Sequence, residues 1–270
     1  MSGGWIVFII YICVQRKISK SGGGIHMRQS AVYRIFFYLL GLLFLALGLT
    51  LKTKAGLGVS AIISVSSSIS EVFGYSFGNT TLGLYSVFIV LEIILHAVRD
   101  RRYEKETAQA LKNAGRKNRR LVLLMDILQL PLSIVFTRVL NVFSALIPDL
   151  SSGGKSTPGE MAVRVAVLLT AIAFTGIGAA MSLDMRIIPN PGDGIVQAIA
   201  DCVRKEVGFT KNCVDVVNIL ISTFIGLFFA GHLAGVGIGT ILAVIGVGRV
   251  ISVFNRLFYE KMNRLACVEV

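Results

Sequence analysis

Charge is what this sequence has least of, and the gaps in it are long. No Asp, Glu, Lys or Arg occurs from Ile35 to Leu51, from Val72 to Leu91, from Val165 to Leu183 or from Val216 to Gly248. A bilayer-crossing helix needs about 20 such residues. A chain that is 54% hydrophobic and 16% charged has too few polar residues to cover a water-soluble core, which excludes an ordinary soluble domain. The four cysteines, Cys13, Cys202, Cys213 and Cys267, form no CxxC pair and no metal-ligand spacing, which excludes a disulfide framework and a zinc site read from spacing. HExxH and Walker motifs are absent, and His26, His96 and His232 fall at expected helix ends. The sequence therefore points away from an enzyme and calls for no cofactor and no metal.

What is present is positive charge in particular places. Lys and Arg number 27 against 15 Asp and Glu, but they crowd the ends of apolar runs. That pattern encodes membrane topology and not nucleic-acid binding.

Eight apolar segments stand out, at roughly Tyr33 to Leu51, Val59 to Phe73, Leu82 to Val98, Leu121 to Ile147, Val163 to Leu183, Gly194 to Lys205, Val214 to Ala230 and Leu233 to Phe254. The second is rich in serine and the sixth is short and ends in charge. Each follows a helix breaker, Gly56-Leu57-Gly58 in one case and Pro189-Asn190-Pro191-Gly192 in the other. Neither makes a full crossing. Trp5 to Val14 is too short to span. Ser21 to His26 reads as translated leader, because the Gly-Gly codons can be a ribosome-binding sequence ahead of Met27. The expected layout is an upstream extension over 1–26, one membrane domain over 27–254 and a cytoplasmic tail over 255–270.

The halves repeat. Phe44 and Gly48 match Phe174 and Gly178, Gly58 matches Gly192, and Gly74-Tyr75-Ser76 matches Gly208-Phe209-Thr210. The first repeat covers about 33–147 and the second about 163–254. Topology orders them. The connection from Arg99 to Arg120 carries Arg99, Arg101, Arg102, Lys105, Lys112, Arg116, Lys117, Arg119 and Arg120 and belongs on the cytoplasmic side, as does the basic N-terminal flank. Both lie on one side only if the second segment is a half-span that returns. The sequence thus predicts an all-α polytopic membrane protein with six transmembrane helices, two broken half-helices and both termini cytoplasmic. Three crossings per half, an odd number, make the repeat inverted.

At Gly56-Leu57-Gly58 with Ser60, at Pro189-Asn190-Pro191-Gly192-Asp193-Gly194, and at Gly235-Val236-Gly237-Ile238-Gly239-Thr240, the chain resembles the YczE/YitT-type family of bacterial integral membrane proteins from about Tyr33 to Phe254. The resemblance implies a bacterial cytoplasmic membrane and a fold, and no settled activity. A departure is Gln129-Leu130-Pro131, which stands where the first half would carry its own Gly-x-Gly-Thr.

Candidate site residues follow from the breaks. Half-helices starting near Asp193 and near Ser60 would aim N–H groups and positive dipole ends at the membrane middle, where irregular backbone is tolerated only if buried or lining a cavity. Asp193 could instead cap its own helix, or hold Na⁺ or a proton. Arg138, central in its apolar run, needs a counter-charge, a cavity, or a structural ion pair with Glu92. Glu92, Asp126, Asp215 and Arg249 read as residues reaching back to the interface. The glycines from Gly235 to Gly248 read as close helix packing, and the serines from Ser64 to Ser70 either line a polar path or bond back to their own helix.

Two functions follow. One is a secondary permease or exporter of a small polar or anionic solute, with Gly58, Ser60, Asn190, Gly192 and Asp193 around a midplane site and Arg138 as counter-ion. The other is a non-transporting scaffold, sensor or accessory protein that docks anionic lipid or a protein through Arg99 to Arg120. Partners are the bilayer and, in the first case, the solute or a coupling ion.

Overall fold

The structure, a computed structural model, describes residues 24–107, 119–150, 157–185, 187–205, 207–232 and 236–266. Its helices are α1 (Gly24–Ala55), α2 (Ser64–Phe73), α3 (Phe77–Thr107), α4 (Arg119–Leu146), α5 (Pro158–Asp184), α6 (Pro191–Val203), α7 (Val207–Ile225) and α8 (Ile238–Ala266). A 3-10 turn over Ala61–Ile63 precedes α2, and a π turn over Gly226–Ala230 follows α7. No strand occurs among the described residues. Six stretches are long and apolar enough to cross a membrane: Ser30–Ala55, Phe77–Arg99, Met125–Leu146, Pro158–Asp184, Phe209–Ala230 and Ile238–Ala266. The other two helices, α2 and α6, are the short ones, as the serine content and the breakers indicate. Most of the upstream extension, residues 1–23, lies outside the described residues. Helix α1 takes in Gly24 to His26, and α8 continues through the tail to Ala266.

Local chemistry sets the boundaries. Thr157 and Glu160 form a reciprocal capping box, with Glu160 N–H donating to Thr157 Oγ1 and Thr157 N–H to Glu160 Oε2, and Pro158 fills the first helical position of α5. Gly74, at φ +70°, ends α2 in the left-handed region that glycine adopts without penalty.

The chain forms two compact units, one from the described residues of Met1–Ser60, Arg138–Ile187 and Gly235–Val270, the other from Ala61–Thr137 and Ile188–Ala234. In the first, α1 lies along α5 and α8 packs on both. The α1–α5 pair is reciprocal to the residue. Arg34 Nε donates to Met185 O at 2.8 Å, and Arg164 Nε donates to Ala55 O at 2.8 Å. Arg34 and Arg164 stand 130 positions apart, as do Ala55 and Met185, Phe44 and Phe174, and Gly48 and Gly178. Phe44 and Phe174 meet edge to face with centroids 5.4 Å apart. A Cβ at Gly48 would collide with Thr175 and Ala171, while one at Gly178 would collide with Leu45 and Gly41, which are the same places in the other helix. Each contact thus has its mirror under a two-fold rotation that exchanges two antiparallel helices. That is what an inverted duplication produces. The physical reason for the arginines is that each satisfies a carbonyl left over at the partner helix's C-terminus, where positive charge is favoured.

The second unit repeats the logic. Helix α2 packs on α7 and α6 on α3, so each short helix leans on the long helix of the opposite repeat. Ser68 hydrogen-bonds Ser222, and Cys202 Sγ donates to Leu95 O at 3.2 Å. Ser68 and Cys202 are 134 positions apart, the spacing of Gly58 and Gly192 and of Gly74 and Gly208.

The two arginines are symmetric in sequence but not in environment, because Arg34 is buried and Arg164 only half-buried. Hydrogen bonds to charged groups contribute about 1.5–3 kcal/mol. Arg34→Met is expected to fall near the top of that range and Arg164→Met near the bottom, read as the shift in midpoint of unfolding in mixed micelles. Equal losses, or a larger one at Arg164, would refute the burial argument.

Candidate functional site

The second broken entry is built around Asn190. It precedes α6 with φ −64° and ψ 139°, and its C=O accepts from Asp193 N–H and Gly194 N–H, both at 2.8 Å. Its side chain does not cap the helix. The amide hydrogen-bonds the Tyr85 hydroxyl on α3 instead, leaving Asn190 Oδ1 buried with no partner. Tyr85 is fixed between Phe88 and Phe136, with centroids at 6.5 and 6.3 Å. Asp193, half-buried in the first turn of α6, interacts with Lys211 and Tyr85, and Asp215 faces the same lysine, 3.7 Å from its Nζ. Gly192 packs closely on Ile62, whose Cγ1 would stand 3.1 Å from a Cβ there and would have to give by a few tenths of an ångström.

The first broken entry does something different. Gly58 has φ +113°, a conformation open to glycine, and a Cβ on it would lie 2.6 Å from Thr240 Oγ1 and 2.7 Å from Gly237 N. Gly239 N–H donates to Leu57 O at 2.7 Å. The Gly-rich start of α8 therefore packs backbone to backbone against Gly56-Leu57-Gly58, so two of the motifs that carry the family resemblance meet. Close packing is the role of these glycines, and it includes Gly58. Ser60 is half-buried in this same unit.

The structure places the sequence candidates on both units, with Gly58, Ser60 and Arg138 in the first and Asn190, Gly192 and Asp193 in the second. Arg138 lies on an exposed face of α4 with Ile134, Val135 and Val142. The α2 serines bond back to their own chain, Ser64 to Ala61 O and Ser66 to Ile63 O, and across to Thr81 and Ser222. They are packing groups. In the basic stretch, Arg99 donates to Asp201 at 2.9 Å, while Lys112, Arg116 and Lys117 lie outside the described residues.

One expectation is corrected. Glu92, Asp126 and Asp215 do not reach back to the interface, being 3%, 2% and 4% exposed. Gln129 Nε2 donates to both Glu92 oxygens at 3.0 and 3.1 Å, and His96 Nδ1 meets Asp126 Oδ2 at 2.8 Å. Asp126 also acts electrostatically on the Glu92 carboxyl group. Gly194 of α6 closes the cluster, because a Cβ there would stand 2.6 Å from Glu92 Oε2. Spacing could have found this group: Glu92 and His96 are four residues apart on α3, and Asp126 and Gln129 three apart on α4, so each pair shares one helix face.

Six apolar crossings and two short helices that follow Gly- or Pro-rich breaks define a polytopic α-helical integral membrane protein. The chain belongs to a family of unknown function, DUF6198, whose family model matches residues 32–256. No curated protein and no solved structure matches it.

Proposed function

We propose that the protein is a secondary permease or exporter of a small polar solute in a bacterial cytoplasmic membrane, with both termini in the cytoplasm. Kinship with the YczE/YitT-type family is part of this reading and rests on the glycine motifs. The observation that carries it is the reciprocal α1–α5 pair, because inverted duplications joined to broken helices are the architecture in which substrate sites form at unwound backbone. The α6 entry supplies such backbone, with an unpartnered Asn190 Oδ1, the Tyr85 hydroxyl and the Asp193 carboxylate. Two carboxylates, Asp193 and Asp215, stand around Lys211, a balance that suits a neutral or positively charged polar solute better than an anion.

The direct test is uptake or counterflow in proteoliposomes with a panel of radiolabelled amino acids, amines, sugars and carboxylates, with imposed proton and sodium gradients. At least one class should exchange above protein-free vesicles. If none does and none raises the melting temperature, the docking reading through Arg99 to Arg120 takes its place.

Inversion also fixes sidedness. Tyr75 and Lys205 occupy corresponding connections of the two repeats and are both exposed. With the native cysteines replaced by serine, single cysteines at these positions should react with an impermeant maleimide from opposite sides, Tyr75→Cys in intact cells and Lys205→Cys only after permeabilisation. Labelling from one side would refute the inversion.

A further inference from the structure

We propose that Glu92, His96 and Asp126, together with the Gln129 side-chain carbonyl, form a binding site for a single divalent first-row transition-metal ion. The site adjoins the α6 entry at Gly194 and stands whether or not the protein transports a solute.

The donor atoms of Glu92, His96 and Asp126 already lie within 4.8 Å of one another. Donors held about 2.0–2.2 Å from one tetrahedral ion stand about 3.3–3.6 Å apart. The 2.8 Å between His96 Nδ1 and Asp126 Oδ2 therefore needs to open by about 0.5–0.8 Å. Helical geometry supports the set, since α3 offers Glu92 and His96 one turn apart and α4 offers Asp126 and Gln129 one turn apart.

Charge gives the second reason. Two carboxylates face one imidazole, and the groups acting on Glu92 are Asp126, Gln129 and His96, with no lysine or arginine among them. Buried like charges this close are strongly unfavourable unless neutralised. A dication held among them supplies that neutralisation. The third observation is the Gln129 amide, which is 0% exposed, directs Nε2 at both Glu92 oxygens and carries an Oε1 with no hydrogen-bond partner among the described residues, so that a half-turn of the amide presents that oxygen to the cluster. An amide oxygen is a competent fourth donor. The mix of one nitrogen and three oxygens selects a borderline dication such as zinc, cobalt or manganese over a soft ion bound by thiolates. Glu92 and Asp126 bind the ion as carboxylates, and its two positive charges offset their two negative ones.

The test uses the full chain in detergent micelles, purified through a histidine-free tag, stripped with EDTA and titrated with Co²⁺ and then Zn²⁺. The expected result is saturation at one Co²⁺ per chain with visible d–d absorption and displacement by Zn²⁺. His96→Gln and Glu92→Gln should each weaken Co²⁺ binding by more than the about 10–100-fold that outer partners contribute, while a His26→Gln, His232→Gln control keeps it. The site is refuted if the parent protein takes up no Co²⁺, if His96→Gln keeps full affinity, or if the control loses it. Should a variant fail to fold, the parent's stoichiometry and the displacement by Zn²⁺ still decide.

Discussion

Gly178→Leu and Gly48→Leu are each expected to abolish the native fold or lower its unfolding midpoint by the largest margin of any single change in the membrane domain. The built Cβ at Gly178 stands 2.6 Å from Gly41 O and 2.9 Å from Leu45 Cα, and that at Gly48 stands 2.6 Å from Thr175 N and 2.8 Å from Ala171 O. These are backbone atoms, so no rotamer change relieves the clash and the helices must separate. Overpacking in a core that can adjust costs about 1–3 kcal/mol, and here the adjustment is a shift of a whole helix whose Arg34 and Arg164 bonds would be lost together. Gly83, which has nothing within 4 Å of its built Cβ, is the control. Gly83→Ala should be neutral or stabilise by about 0.5–1 kcal/mol through the unfolded chain. The measurement is monodispersity and unfolding midpoint in one detergent. If Gly83→Leu and Gly178→Leu behave alike, close α1–α5 packing is not what these glycines are for. The two-fold relation adds a further requirement, that the losses at Gly48 and Gly178 be similar.

How far the sequence revealed this architecture depends on which force set each feature. The crossings were legible because the bilayer is a uniform solvent: a helix inside it must avoid charge over about 20 residues, and the charge-free runs coincide with α1, α3, α5 and the α7–α8 region. The two short helices were legible from their breakers. The repeat was visible at Phe44, Gly48, Phe174 and Gly178, but its sharpest pair, Arg34 with Arg164, was not. Charged residues near helix starts read as interface, and nothing in a single chain says that each reaches the far end of its partner. The Glu92 cluster was hidden for a related reason. Glu92 stands next to the end of a charge-free run, which suggests water nearby, and only the packing of α4 and α6 against α3 removes that water. Gly58 shows the converse. Its break was legible, but its use, to admit the backbone of Gly237, depends on a helix about 180 residues later in the chain.

The remaining large effect concerns the α6 entry, where binding and folding separate by residue. Tyr85→Phe removes the hydroxyl that holds Asn190 while keeping the ring stacked on Phe136, and volume-conserving changes of this kind usually cost under about 1.5 kcal/mol. Asp193→Asn keeps size and hydrogen-bonding capacity but removes charge. A hydrogen bond to a charged group contributes about 1.5–3 kcal/mol, or about 10–150-fold in affinity. Both variants are therefore expected to retain the parent's melting temperature to within a few degrees and to lose solute exchange and solute-dependent stabilisation by about 10-fold or more. Arg138→Gln, on an exposed face of α4, should also leave the melting temperature unchanged, and its effect on exchange tests its role as counter-ion. If Asp193→Asn retains full exchange, the carboxylate charge has no part in solute binding. If it loses stability along with exchange, Asp193 is a structural partner of Lys211. Loss of exchange with stability intact is the outcome that places the solute at the start of α6.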